Sequence, residues 1–207
     1  MRGATLLLIA AAILVYSGLL QRVLDRMRLR DRTALWLIGA MLVGTFLPNL
    51  MLGRVEINIG GAVIPLSVCG YLLIRAQAHE RWRTLLGSLL TAASVYGLTL
   101  LLPSEPEQLL VDPTLLCSLA GGVIAWALGR SRRGAFICGV TGVLLADAVT
   151  AAVNWSKGIE QNLVLGGGGM ADAAVLSGVL SVLLCETIGE LVERLVRGRR
   201  ARGGNVG

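Results

Sequence analysis

Two aspartates, Asp147 and Asp172, stand inside stretches that carry no other charge. A carboxylate at the centre of a membrane helix costs about 2.5–3.5 kcal/mol on insertion scales, and it usually faces a bundle interior or water. Two carboxyls sharing one proton can activate water against a carbonyl, the ionised one as base and the protonated one as acid. The surroundings of the pair repeat, as Ala146-Asp147-Ala148 and Ala171-Asp172-Ala173, and these small flanks leave room for the carboxyls to meet. Thr150 and Asn154 extend a polar stripe from Asp147 at helical spacing. Gly166-Gly167-Gly168-Gly169 precedes Asp172, and glycine disfavours helix by about 1 kcal/mol per residue. The run therefore predicts an unwound or re-entrant segment. Broken backbone at membrane depth is tolerated where it is buried in protein or lines a wet cavity. Pro48-Asn49 and Asn58-Ile59-Gly60-Gly61 with Pro65 are further breaks. The expectation is a polar, partly hydrated pocket floored by Asp147 and Asp172. Its candidate lining is Asn58, Gly60, Gly61, Pro65, Asn154, Gly166, Gly167, Gly168 and Gly169.

Other chemistries find no materials. The one histidine, His79, lies in a short polar loop. A zinc protease of the H-E-x-x-H type needs two histidines on one helix face, and a Ser–His dyad in the membrane needs its base at depth. Cys69, Cys117, Cys138 and Cys185 form no C-x-x-C pair and read as small buried hydrophobes. No metal site and no cofactor is expected, and no nucleotide-binding or nucleophile-elbow motif occurs.

The elements that must position the aspartates follow from hydropathy. The chain has 207 residues, 55% hydrophobic and 15% charged, with a mean hydropathy of +0.72. Soluble domains carry roughly 25% charge, so a water-soluble globule is excluded. A bilayer span takes ~20 apolar residues, and seven stretches qualify: about 3–21, 33–52, 57–74, 84–103, 113–129, 134–155 and 163–187. The fold class is an all-α polytopic transmembrane bundle in one membrane domain, followed by a basic tail at 190–207. With a rise of ~1.5 Å per residue, Asp147 lies ~20 Å above the start of its span and Asp172 ~14 Å below the start of its own. In a core of ~30 Å these depths nearly coincide.

Charge gives the orientation. Sixteen basic residues follow the first, third, fifth and seventh stretches, and three (Arg2, Arg54, Lys157) fall on the other side. The asymmetry is the positive-inside pattern: amino terminus out, carboxyl terminus in. The net charge of +6 is thus an orientation signal, and no nucleic-acid partner is expected. The lipid bilayer is the expected partner. Trp36, Trp82, Trp126 and Trp155 near span ends read as interfacial anchors.

The segments Asn58-Ile59-Gly60-Gly61-Ala62-Val63-Ile64-Pro65, Ala146-Asp147 and Gly166-Gly167-Gly168-Gly169-Met170-Ala171-Asp172 resemble a prokaryotic membrane-protein family known only as a domain of unknown function. The resemblance implies a multi-helix membrane protein of a bacterial or archaeal plasma membrane and brings no activity. A more distant likeness is to intramembrane aspartyl proteases of the presenilin and signal-peptide-peptidase type, which place one aspartate on each of two neighbouring antiparallel helices. That likeness implies a catalytic pair at Asp147 and Asp172 acting on a transmembrane peptide. Ala146 stands where those enzymes have tyrosine, and Gly169-Met170-Ala171-Asp172 replaces their Gly-x-Gly-Asp. Two other functions use the same residues: a small ion- or proton-coupled transporter, and a non-catalytic scaffold whose aspartates join helices.

Overall fold

Short apolar runs can fold as strand or helix, and the chain uses both. The computed structural model describes residues 40–41, 43–101, 113–129, 131–169 and 172–185. The expected first span, the start of the second and the basic tail lie outside these residues. Helical residues 40–41 and 43–46 lead into strands β1 (Leu50–Leu52) and β2 (Val55–Ile57). A π-helical turn, Ile59–Val63, runs directly into α1 (Ile64–Ile74), which carries Pro65 in its first turn, where a missing N–H breaks no helical bond. Then come α2 (Ala78–Leu101), α3 (Pro113–Gly129), α4 (Arg132–Ser156), strand β3 (Leu163–Leu165) and α5 (Ala173–Cys185).

The described residues are mostly helical, and two helices, α2 and α4, are long and apolar enough to cross a membrane. At ~1.5 Å per residue their 24 and 25 residues span about 36–38 Å, against a hydrocarbon core of ~30 Å. Ser131 starts α4: its Oγ accepts from Gly134 N at 3.0 Å and donates to Glu80 Oε1 at 2.7 Å, tying the first turns of α2 and α4 together. Thr84–Cys138 and Ser88–Thr141 contacts follow in the same order, so α2 and α4 run in parallel.

Helix α4 is the hub, packing on α1, α2, α3 and β3. Close approach needs small residues. A methyl group on Gly142 would come within 2.6 Å of Thr91 Cγ2, and one on Gly139 within 2.8 Å of Gly178 Cα in α5. Around these contacts Val95, Phe136, Val140, Val143, Val175, Val179 and Val182 form the core.

Two expected spans are not continuous helices. Residues 50–57, expected to end one span and begin the next, fold as a hairpin, with Leu50 opposite Ile57 and Leu52 opposite Val55. Gly53 makes the two-residue turn possible at φ +63°, a conformation only glycine adopts freely. Residues 163–187, expected as one span, open with β3, which pairs parallel to β2 (Val55 with Leu163, Ile57 with Leu165). The turn after it holds Gly166 at φ +70° and Gly169 at φ +59°. Helix α5 begins at Ala173.

Candidate functional site

Asp147 sits on α4 and is half-buried. Asp172 sits just before α5, where the first backbone N–H groups of a helix lack internal partners. Its Oδ1 accepts from Ala174 N at 3.0 Å and its Oδ2 from Gly168 N at 3.1 Å. One carboxyl therefore caps α5 and closes the glycine turn in front of it. Three backbone bonds complete the turn: Gly169 N to Gly166 O at 2.8 Å, Asp172 N to Gly169 O at 3.1 Å, and Leu176 N to Asp172 O at 2.9 Å.

The helices bring the two aspartates to one level. Gly139 and Gly178 touch where α4 crosses α5. Asp147 lies eight residues beyond Gly139, ~12 Å, and Asp172 six residues before Gly178, ~9 Å. The helices run antiparallel, so both displacements point the same way and the levels agree to ~3 Å. The carboxyls lie within electrostatic reach of each other. Among the described residues no side chain or backbone N–H donates a hydrogen bond to the Asp147 carboxyl, in contrast to the doubly held Asp172.

The glycines expected to line a pocket pack against one another. Asn58 is buried, and its Oδ1 accepts from Gly61 N at 2.9 Å, capping the π-helical turn. Its Nδ2 donates to Asn49 Oδ1 at 2.9 Å and its backbone N to Leu165 O at 2.9 Å. A Cβ on Gly61 would meet Gly166 O at 2.1 Å and Gly169 O at 2.7 Å, and one on Gly60 would meet Met41 O at 2.3 Å. Asn58, Gly60, Gly61, Gly166 and Gly169 therefore form an interlock of closely packed backbone. Gly167 and Gly168 are exposed, Pro65 is buried, and Asn154 is half-buried in the last turn of α4.

Thr45, Gly139 and Gly178 were not singled out from the sequence, and Asn49 stood there only as part of a backbone break. Thr45 packs where a side chain on Gly169 would fall, at 2.2 Å from Cγ2. Asn49 is the partner of Asn58. Gly139 and Gly178 set the crossing that levels the aspartates. Thr45 and Asn49 had a signal, being polar residues inside an apolar stretch. The two glycines had none, because small residues abound in every helix of this chain.

The arrangement is thus one carboxyl fixed by main-chain donors and a second that has no such ties among the described residues. Among the described residues no group of acidic, histidine or cysteine side chains is arranged to hold a metal ion. The chain belongs to the family described as protein of unknown function (DUF1614), whose match spans residues 24–184. No curated protein and no solved structure matches it.

Proposed function

We propose that this member of a family without an assigned activity is a multi-pass membrane hydrolase of the aspartyl type, cutting a transmembrane peptide at the Asp147–Asp172 pair. In this reading seven spans cross a prokaryotic plasma membrane, with the amino terminus outside and the arginine-rich carboxyl terminus inside. The observation that carries it is the level placement of two carboxyls from antiparallel segments, within electrostatic reach, beside a backbone that is not helical.

The chemistry balances within the pair. The ionised carboxylate takes a proton from water as the water oxygen attacks the scissile carbonyl carbon. The protonated carboxyl gives its proton to the carbonyl oxygen, forming a gem-diol. Collapse of that intermediate breaks the C–N bond, with a proton passing to the leaving nitrogen. Titration belongs to the pair jointly, so neither residue is assigned base or acid.

One observation favours a second reading, the scaffold. Both Asp172 oxygens are used by backbone N–H groups, as a purely structural cap would use them. Asparagine separates the two, because it caps helices about as well as aspartate but cannot act as acid or base. Full-length protein in proteoliposomes is incubated with synthetic transmembrane peptides, and products are identified by mass. Asp147→Asn and Asp172→Asn should each abolish cleavage; Asp147→Asn should keep the unfolding temperature, whereas Asp172→Asn, with one acceptor oxygen for two N–H donors, keeps one of the two backbone bonds and should lower it slightly. Cleavage that persists in both variants sinks the hydrolase. Flux of protons or sodium that depends on the pair, without cleavage, would move the assignment to a coupled transporter.

A further inference from the structure

A cavity of about 650 Å³ lies between α1, α2 and α4. It runs along the helices, from Leu73, Trp82 and Ile137 at one end to Leu66, Ala148 and Leu165 at the other. On α4 its lining stretches from Ile137 to Ala148, eleven residues or ~16 Å. That length is about one leaflet of a ~30 Å hydrocarbon core. Spread over it, the volume leaves a mean cross-section of about 40 Å². A helix of ~10 Å diameter needs about 80 Å², so the groove admits a single extended chain and excludes a helix.

The wall decides which extended chain. Its hydroxyls, Ser88 and Thr141, are already engaged: Thr141 Oγ1 lies 2.8 Å from Ser88 Oγ, which donates to Thr84 O at 2.9 Å. A peptide would bring an N–H and a C=O at every residue with nothing to pair them, a penalty that apolar surroundings enforce at each group. An alkyl chain brings none. At the Leu73–Trp82 end the surface turns basic and aromatic. Arg75 is exposed at the end of α1, its guanidinium 5.1 Å from the Tyr71 ring centre, and Trp82 is 70% exposed. An exposed arginine two residues past Leu73 and an exposed tryptophan in the lining are the interfacial chemistry that holds an anionic headgroup.

We propose that this groove is a binding site for one anionic phospholipid, an acyl chain lying along α4 and the phosphate at Arg75. The site is separate from the aspartate pair, and it stands whether or not the pair cleaves peptides. Gly70 offers a clean obstruction, since a Cβ there meets nothing within 4 Å and so points into open space.

The test uses full-length protein in detergent, stripped of lipid and titrated with phosphatidylglycerol or with phosphatidylcholine of identical chains, bound lipid being counted by native mass spectrometry. Wild type should retain one phosphatidylglycerol, about tenfold tighter than phosphatidylcholine. Gly70→Leu should weaken both lipids about tenfold or more, with the unfolding temperature kept. Leu66→Trp obstructs the other end and should do the same. Arg75→Gln should erase the headgroup preference alone. Wild type supplies one more readout: phosphatidylglycerol with brominated chains should quench a fluorescence component that Trp82→Phe lacks. Undiminished binding in both obstructed variants, a preference that survives Arg75→Gln, no Trp82 quenching, or a peptide released from the groove would each overturn the proposal.

Discussion

The seam between α2 and α4 and the junction where the glycine turn meets Asn58 solve the same problem with opposite means. Both bring backbones into close contact among apolar surroundings, where an unpaired polar group is costly. Along the seam both partners are regular helices, so their main-chain bonds are already made. The hydroxyls of Ser88, Thr91 and Thr141 turn back onto carbonyls of their own helices or onto each other. At the junction the backbone is irregular on both sides, and side chains must finish the bonding. Asn58 serves Gly61 and Asn49, and Asp172 serves Gly168 and Ala174. Regular packing spreads its stability over many small contacts, whereas the junction concentrates it in a few residues. A candidate site beside the junction gains a carboxyl fixed in direction, because Asp172 cannot turn without uncapping α5.

The sharpest way to break the junction is Gly61→Val. Even a methyl group there would come within 2.1 Å of one carbonyl oxygen and 2.7 Å of another, both backbone atoms that cannot swing aside. We expect a loss of about 3 kcal/mol or more, at the upper end for overpacking, seen as failure to recover folded protein or a large fall in unfolding temperature. Gly70→Ala is the control on the same segment. It meets nothing within 4 Å and removes a helical glycine, so it should be neutral or gain up to about 1 kcal/mol.

Next in size is Asn58→Ala, which leaves Gly61 N and the Asn49 side chain without their partner in a buried setting. The expected loss is about 2 kcal/mol, measured by thermal unfolding in detergent. Asn58→Asp keeps the acceptor for Gly61 but loses the donor to Asn49, and it should fall between wild type and the alanine variant.

Legibility in the sequence follows the same division. Apolar length marks α4 well: the charge-free stretch begins at Gly134, and the helix begins two residues earlier because Ser131 can cap it despite Arg132 and Arg133. Helix α2 begins six residues before its charge-free stretch, since His79 to Arg83 form a polar first turn that hydropathy discards. The sheet left no mark. Leu163-Val164-Leu165 reads equally as helix or strand, and its partner Val55–Ile57 is more than a hundred residues away. The levelling of Asp147 and Asp172 was readable, because it needs only two antiparallel helices and a fixed rise. The double hold on Asp172 was not, because it depends on two left-handed glycines placing Gly168 N over the carboxyl.

Asp172 tests whether stability and chemistry separate at the junction. Asp172→Ala removes the cap of α5 and should cost about 1 kcal/mol, read as a lower unfolding temperature. Asp172→Asn should restore about half of that, because its single amide oxygen serves Ala174 N or Gly168 N and not both, with the cleavage activity of neither variant recovered. An asparagine variant as unstable as the alanine variant would mean that the turn needs both carboxylate oxygens together. The chemical role would then lose its separation from the structural one.

The smallest effect belongs to the seam. Thr141→Val removes a hydroxyl that lies 2.8 Å from Ser88 Oγ and 2.6 Å from its own helix at Ile137 O, while keeping the volume. Hydrogen bonds between membrane helices average ~0.6 kcal/mol, and Ser88 retains Thr84 O as its acceptor. The loss should therefore stay at about 0.6 kcal/mol, several times less than at Asn58. A double-mutant cycle with Ser88→Ala measures the coupling directly. A coupling as large as the Asn58→Ala loss would make the seam as concentrated as the junction, and the contrast between regular and irregular packing would fail.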